Sequence, residues 1–263
     1  MHATIGNLAL ALALLLAAGT AAAAVKTKEI EYEHDGTKLK GLLVFDDAGR
    51  GKRPGVLVFH EWWGLNDYAK KRATMLAEHG YVAFAADMYG EGKVTEHPED
   101  ARKMSTAVRM NQEQWLGRAE AALKVLQSQE QVDKDHIAAI GYCFGGSTAL
   151  ILAASGEPLK AVSTFHAGLP PSAAEKAKEI KARVLINNGA EDTFVSKDSI
   201  DKLKGALDAA GVKYEFENYP GAVHSFTVKE ADKHGIKGMA YNEEADKKSW
   251  EKTLALFKET LGK

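Results

Sequence analysis

The fold is decided by residues 137–154, which read Ile137-Ala138-Ala139-Ile140-Gly141-Tyr142-Cys143-Phe144-Gly145-Gly146-Ser147-Thr148-Ala149-Leu150-Ile151-Leu152-Ala153-Ala154. Residues 137–140 are short, apolar and partly β-branched, as a buried strand requires. Residues 147–154 are apolar all round, as a buried helix requires. Between them lies a G-x-C-x-G-G turn. A sharp strand-to-helix turn of this kind lifts the central side chain above the sheet. It needs glycine two residues to either side, because the strand and helix backbones nearly touch there. The helix N-terminus then faces Cys143 and favours a thiolate there. The Phe144 N–H lies where an oxyanion could be held. Two other readings remain: a small buried hydrophobe at Cys143, or a Gly-rich phosphate cradle. The second lacks the G-x-G-x-x-G spacing and lies deep in the chain.

Outward from this turn, strand and helix patterns alternate. Residues 30–34 and 39–45 read as antiparallel strands joined at Asp35-Gly36, a turn pair. Further strands are expected at 56–59, 82–86, 161–165, 184–186 and 214–219. Ala69, Ala73 and Leu76 mark one amphipathic helix. Leu116, Ala119, Leu123 and Leu126 mark another, and Ile200, Leu203, Leu207 and Ala210 a third. Trp250, Leu254, Phe257 and Leu261 define a C-terminal helix. Residues 91–99 read as a charged loop. This order predicts an α/β fold, a mostly parallel sheet with helices on both faces, as a single domain over residues 25–263.

The first 24 residues differ from the rest. Residues 8–18 are Leu and Ala only, followed by Gly19, Thr20 and four alanines. This is a secretory signal pattern, with cleavage expected near residues 22–24 and an exported, periplasmic or secreted product. An uncleaved anchor is the alternative, although the run is short for a membrane span. Lys+Arg number 34 against Asp+Glu 36, so the net charge of −2 offers no basic surface for nucleic acid or an anionic membrane. Neither partner is expected. Cys143 is the single cysteine, which excludes an internal disulfide. No Cys/His group has metal-ligand spacing, so neither metal nor other cofactor is expected.

Two further residues fit the chemistry of an activated nucleophile. Asp192 follows the 184–186 strand in Asn187-Asn188-Gly189-Ala190-Glu191-Asp192, with Glu191 as the rival acid. His224 follows the 214–219 strand. Imidazole suits a general base because its pKa lies near operating pH and a carboxylate can fix its tautomer. The order nucleophile, acid, histidine, each beyond a strand end, is that of a triad on an open α/β sheet. Alone, Asp192 is an ordinary loop carboxylate or helix cap, and His224 an ordinary loop histidine. His34, His79, His97, His136 and His234 read as surface or turn residues.

His60-Glu61-Trp62-Trp63-Gly64-Leu65-Asn66, Asp87-Met88-Tyr89, the Cys143 turn and Gly221-Ala222-Val223-His224-Ser225-Phe226 together resemble the dienelactone hydrolase family, from about residue 30 to the C-terminus. The resemblance implies an α/β-hydrolase fold, and an enzyme that cleaves a small ester or lactone. It implies Cys143 as nucleophile, His224 as base, Asp192 as orienting acid, and Glu61 as a carboxylate that helps to generate the thiolate. The backbone N–H groups of Trp62 and Phe144 then form the oxyanion hole, and Trp63, Tyr89 and Phe226 are expected around the substrate. The family's type enzyme clamps a substrate carboxylate with two arginines. The matching positions here are Glu91 and Val228, with Lys93 and Lys229 nearby. The expected substrate is therefore a neutral or differently charged ester, lactone or thioester. The alternatives are a thioesterase or a non-catalytic binding protein on the same fold. The residues from Phe226 to Asn242 read as a lid or pocket rim.

Overall fold

The structure is a computed structural model that describes residues 25–262; the expected signal segment, residues 1–24, lies outside them. Eight strands form one sheet: β1 (Val25–His34), β2 (Thr37–Asp46), β3 (Arg53–Phe59), β4 (Val82–Ala86), β5 (Val132–Tyr142), β6 (Ala161–Phe165), β7 (Arg183–Gly189) and β8 (Tyr214–Tyr219). Their spatial order is β1-β2-β4-β3-β5-β6-β7-β8. β1 and β2 form the expected antiparallel hairpin, turning at Asp35 and Gly36, both with positive φ. β2 is antiparallel to β4, and the remaining six strands are parallel.

The direction of winding explains why both faces are covered. From β3 the chain steps outward to β4 through helix α1 (Asp67–Glu78). It then reverses, crosses β3 to β5, and advances through β6 and β7 to β8. Parallel crossovers are right-handed, so reversing direction moves the helices to the opposite face. α1 and the C-terminal α7 (Glu243–Leu261) therefore share one face, where Ala69, Leu76, Trp250 and Phe257 pack on Val56, Val58 and Ile140. α3 (Gln112–Gln127), α4 (Phe144–Ala154) and α6 (Lys197–Ala210) cover the other, where Leu123, Leu150 and Leu203 join Leu57, Phe59 and Val162. The β3/β5 reversal is the switch point at which open α/β sheets place their ligands, and Cys143 stands at the end of β5.

Two helices depart from the sequence expectation. α2 (Pro98–Arg109) begins inside the stretch read as a loop. Its start signals are those of a helix: Pro98 in the first turn, with Glu99 and Asp100 beside it. Ala101, Ser105 and Val108 form its buried stripe. The Gly- and charge-rich residues just before it mask that onset. α5 (Pro171–Glu175) is a single short turn with no periodic signal. β5 also runs longer than the apolar core of residues 137–140.

Candidate active site

The turn after β5 has the strained geometry its glycines imply. Cys143 has φ 51° and ψ −112°, a costly conformation for a residue with a side chain. A Cβ on Gly141 would meet the Gly145 carbonyl oxygen at 2.0 Å. The Cys143 N–H is held by the Phe165 carbonyl at 3.0 Å, and the Cys143 carbonyl accepts from Gly146 and Ser147 as α4 begins. The thiol is left half-buried. The Phe144 ring, fully buried, stacks on Trp115 at 5.2 Å, and the Trp115 Nε1–H donates to Thr148 Oγ1 at 2.8 Å. This packing fixes the Phe144 peptide.

Asp192 and His224 meet across the ends of β7 and β8. His224 Nδ1 lies 2.7 Å from Asp192 Oδ2, and both side chains are buried. Cys143 lies within electrostatic reach of the imidazole. Burial disfavours a charged His224. The Cys143 charge, with the Asp192 hydrogen bond and charge, outweighs it, and the pKa is pushed up to about 10. Cys143→Ala removes the Cys143 contribution. The His224 midpoint, followed by imidazole NMR, is therefore expected to fall clearly below its wild-type value. An unchanged midpoint would mean that Asp192 alone sets it. Glu191, the rival acid, is exposed and bonds through its backbone N–H to Ala222 instead.

Glu61 is 2% exposed at the end of β3. The Ser225 hydroxyl donates to its Oε1 at 2.8 Å, and His166 Nδ1 stands 3.8 Å from the same oxygen. Burial pushes its carboxyl up, against the lowering influence of Ser225, His224 and Arg72. Its peptide is pinned as well. His60 is fully buried, with Nδ1 against the Glu61 carbonyl and Nε2 accepting the Met88 N–H at 3.2 Å. Because Nε2 accepts, Nδ1 carries the proton. In a trans peptide the N–H points away from the carbonyl. Holding the Glu61 carbonyl therefore aims the Trp62 N–H in the opposite direction. Among the described residues neither the Trp62 nor the Phe144 N–H has an acceptor.

The other expected site residues are placed unequally. The Tyr89 hydroxyl donates to the Trp62 carbonyl at 2.9 Å, and its ring packs on His60 and Phe144, so it braces the same segment. Trp62 is half-buried and meets Trp63 edge-on. Trp63 is buried among Ala101, Ala231 and Met239 beneath the His234 ring, 4.0 Å away, which makes it core rather than pocket wall. Phe226 is also corrected: it is fully buried with Tyr219, Ala222 and Ala245, and its ring supports His166 from behind. The segment expected as a rim contains a short 3-10 helix, Ala231–His234, and supplies His234 and Met239 to the Trp63 cluster. Asp87 accepts four backbone N–H groups, from Lys40, Tyr89, Gly90 and Gly92, and so is a loop-fixing residue.

Three residues around this centre are given no role by the sequence: His60 and Ser225, which stand in the quoted motifs, and His166. His166 directly follows β6, has φ 40°, and is fully buried. Its Nε2 pairs with Thr227 Oγ1 at 2.8 Å, and its ring stands edge-on to His224 at 5.3 Å. Burial, with the His224 and Arg72 charges, holds it well below the ordinary histidine range, hence neutral. Ser225 has φ 54°. Strain thus gathers at Cys143, His166 and Ser225, around one point. The one sequence signal for the histidines is position: each stands immediately after a wholly buried parallel strand.

Among the described residues no group of three or more His, Cys, Asp or Glu side chains is arranged to hold a metal ion. No helix among them is long and apolar enough to cross a membrane.

Eight strands wound in this order, with a strained strand-to-helix turn at Cys143 on the switch point, define an α/β-hydrolase. The family model for the dienelactone hydrolase family matches residues 39–261, and the chain belongs to that family. A protein from Saccharolobus solfataricus named "Putative carboxymethylenebutenolidase" is 30% identical over 264 residues, covering 86% of this chain and 96% of its own. Protein usf of Aquifex pyrophilus is 28% identical over 237 residues, covering 88% and 97%. Among solved structures, one named m3DLH is 44% identical with a TM-score of 0.88, covering 90% of this chain and 99% of its own. A dienelactone hydrolase-like promiscuous phosphotriesterase from metagenomic libraries is 39% identical, with the same TM-score and the same coverage. The chain is an ester or lactone hydrolase.

Proposed function

We propose that this enzyme cleaves a small ester or lactone through a thioester on Cys143, with His224 and Asp192 completing the triad. The observation that carries the reading is the buried imidazole of His224, gripped by Asp192 at 2.7 Å and lying within electrostatic reach of Cys143 in its strained turn. The Cys143 thiolate attacks the carbonyl carbon. The carbonyl oxygen becomes an oxyanion on the N–H groups of Trp62 and Phe144. As the oxyanion collapses, the C–O bond to the leaving group breaks and the His224 imidazolium protonates the departing alkoxide. Neutral His224 then takes a proton from water, hydroxide adds to the thioester, and collapse releases the acid and restores the thiolate–imidazolium pair. Glu61 helps to generate the thiolate through its charge, which attracts the His224 imidazolium formed with it.

The substrate is neutral or carries its charge differently from one bound by two arginines. Glu91 is exposed and paired with Lys93 at 3.3 Å, Val228 packs against the Trp63 cluster, and Lys229 lies over the Tyr241 ring. The leader of Leu, Ala and small residues supports an exported enzyme.

Because Cys143 is the only cysteine, the covalent step has a direct test. Protein acid-quenched during turnover of a p-nitrophenyl ester is expected to carry one acyl group, mapped by mass spectrometry to the peptide containing Cys143. Full hydrolysis by protein whose Cys143 has been alkylated would overturn the proposal.

A further inference from the structure

Phe194 stands out among the apolar side chains. It is 53% exposed, whereas nearly all large hydrophobic side chains in the described residues are buried or half-buried. A single exposed ring is unremarkable by itself, but this one is fixed against the candidate base. Its centroid lies 4.8 Å from that of the His224 imidazole, with the planes tilted by 39°. Its backbone N–H donates to Asp192 Oδ1 at 2.8 Å, while the other oxygen of the same carboxylate holds His224. One carboxylate therefore sets both the imidazole and the segment that carries the ring. The ring edge is backed by Gly238, where an added Cβ would sit 3.3 Å from it, and the Gly238 carbonyl accepts the His224 N–H at 3.1 Å. The ring is thus held between the imidazole and the 238 backbone with about half its surface open.

The chemistry gives that open surface a direction. In the proposed cycle His224 protonates the leaving alkoxide, so the leaving oxygen comes within hydrogen-bond reach of the imidazole, about 2.6–3.2 Å. The group attached to that oxygen then extends beside the imidazole, where Phe194 provides the apolar surface. We propose that Phe194 is the platform for the alcohol portion of the substrate. The enzyme then favours esters whose leaving group is apolar, aryl or larger alkyl, or lactones whose alkoxide side is hydrocarbon. This inference rests on the triad reading given above.

The test compares Phe194→Ala and Phe194→Tyr with wild type on methyl, butyl and phenyl acetate, which share one acyl group. Taking each variant relative to wild type cancels the intrinsic reactivity of the ester. A packed aromatic surface of this kind corresponds to about a 3- to 10-fold effect. Phe194→Ala is therefore expected to lose about 3- to 10-fold more kcat/KM on phenyl acetate than on methyl acetate, with butyl between, and Phe194→Tyr to restore the selectivity. An equal loss on all three esters would show that the ring only steadies the Asp192–His224 pair, and would overturn the inference. So would a loss that follows acyl length, in a parallel series of methyl esters, rather than alcohol size. Wild-type activity that survives Cys143→Ala would instead remove the triad reading itself, an outcome separate from any Phe194 result.

Discussion

Cys143→Ala is expected to lower kcat/KM on p-nitrophenyl acetate by at least about 1,000-fold, the scale on which removal of a nucleophile from a triad acts. No other thiol exists to take over, because Cys143 is the only cysteine. The residual rate would come from the Trp62 and Phe144 N–H donors, which the substitution leaves in place. The fold should survive: the lost atom comes from a half-buried side chain, and the turn is held by backbone bonds and by the stacking of Phe144 on Trp115. Near-UV circular dichroism unchanged from wild type would establish that the loss is chemical. The same pair of proteins should be assayed on p-nitrophenyl butyrate, a thioester, a dienelactone and a neutral phosphotriester, the last because a 39% identical neighbour is described by that activity. A loss below about 10-fold on every hydrolysed substrate would assign the chemistry to another group. Dienelactone turnover as fast as that of a simple ester would contradict the inference drawn from Glu91 and Val228.

The parts of this site legible in the sequence are those set by local rules. The Cys143 turn announces itself because strand, glycines and helix lie within one short stretch. Asp192 and His224 are singled out by a rule of similar range, a polar residue just beyond a strand end, and the structure sets them 2.7 Å apart. Short apolar runs likewise give β4 and β6 with their observed ends, since buried parallel strands are such runs, and the alternation of Tyr214 and Phe216 with polar residues gives the half-exposed edge strand β8. What was not legible depends on distant partners. Ser225 matters because it donates to Glu61, 164 positions away. His166 matters because Thr227, Glu61 and His224 converge on it. Arg72, on α1, reaches Asp246 on α7 and the Thr227 carbonyl, so its charge is felt at Glu61 although nothing near it in sequence suggests as much. Trp63 and Phe226 show the reverse error. Each lies next to a site residue in sequence, yet its side chain turns into the core, because neighbouring side chains in a loop need not share a direction. α2 was hidden by composition: its first turn, Pro98-Glu99-Asp100, has the residues of a loop and of a helix start alike.

Gly145→Ala is expected to be strongly destabilising. A Cβ there would lie 2.2 Å from the Phe59 carbonyl oxygen, 2.4 Å from its carbon and 2.5 Å from the His60 carbonyl oxygen. These are backbone atoms at the end of β3, so no side-chain rotation relieves the clash. Phe59 is in register with Gly141 on β5, and retreat of its carbonyl would pull apart the central strand pair. Moving α4 away instead would unstack Phe144 from Trp115. Either route should cost more than about 3 kcal/mol, the upper range of overpacking in a rigid core. In a domain of this size each kcal/mol lowers Tm by about 2–4 °C, so a loss of about 6–12 °C or more is expected by calorimetry. Gly205, within α6, is the matched control. A Cβ there meets nothing within 4 Å, and Gly205→Ala should stabilise by about 0.5–1 kcal/mol through helix propensity alone. Equal Tm values for the two variants would show that β3 and α4 can part without cost, and the tight turn would then not be what holds Cys143 in its strained conformation. The expected activity of Gly145→Ala follows from the same contacts. The displaced carbonyls belong to Phe59 and His60, the two residues before Glu61, so any variant that folds should also lose the alignment of the Trp62 N–H and show a reduced kcat.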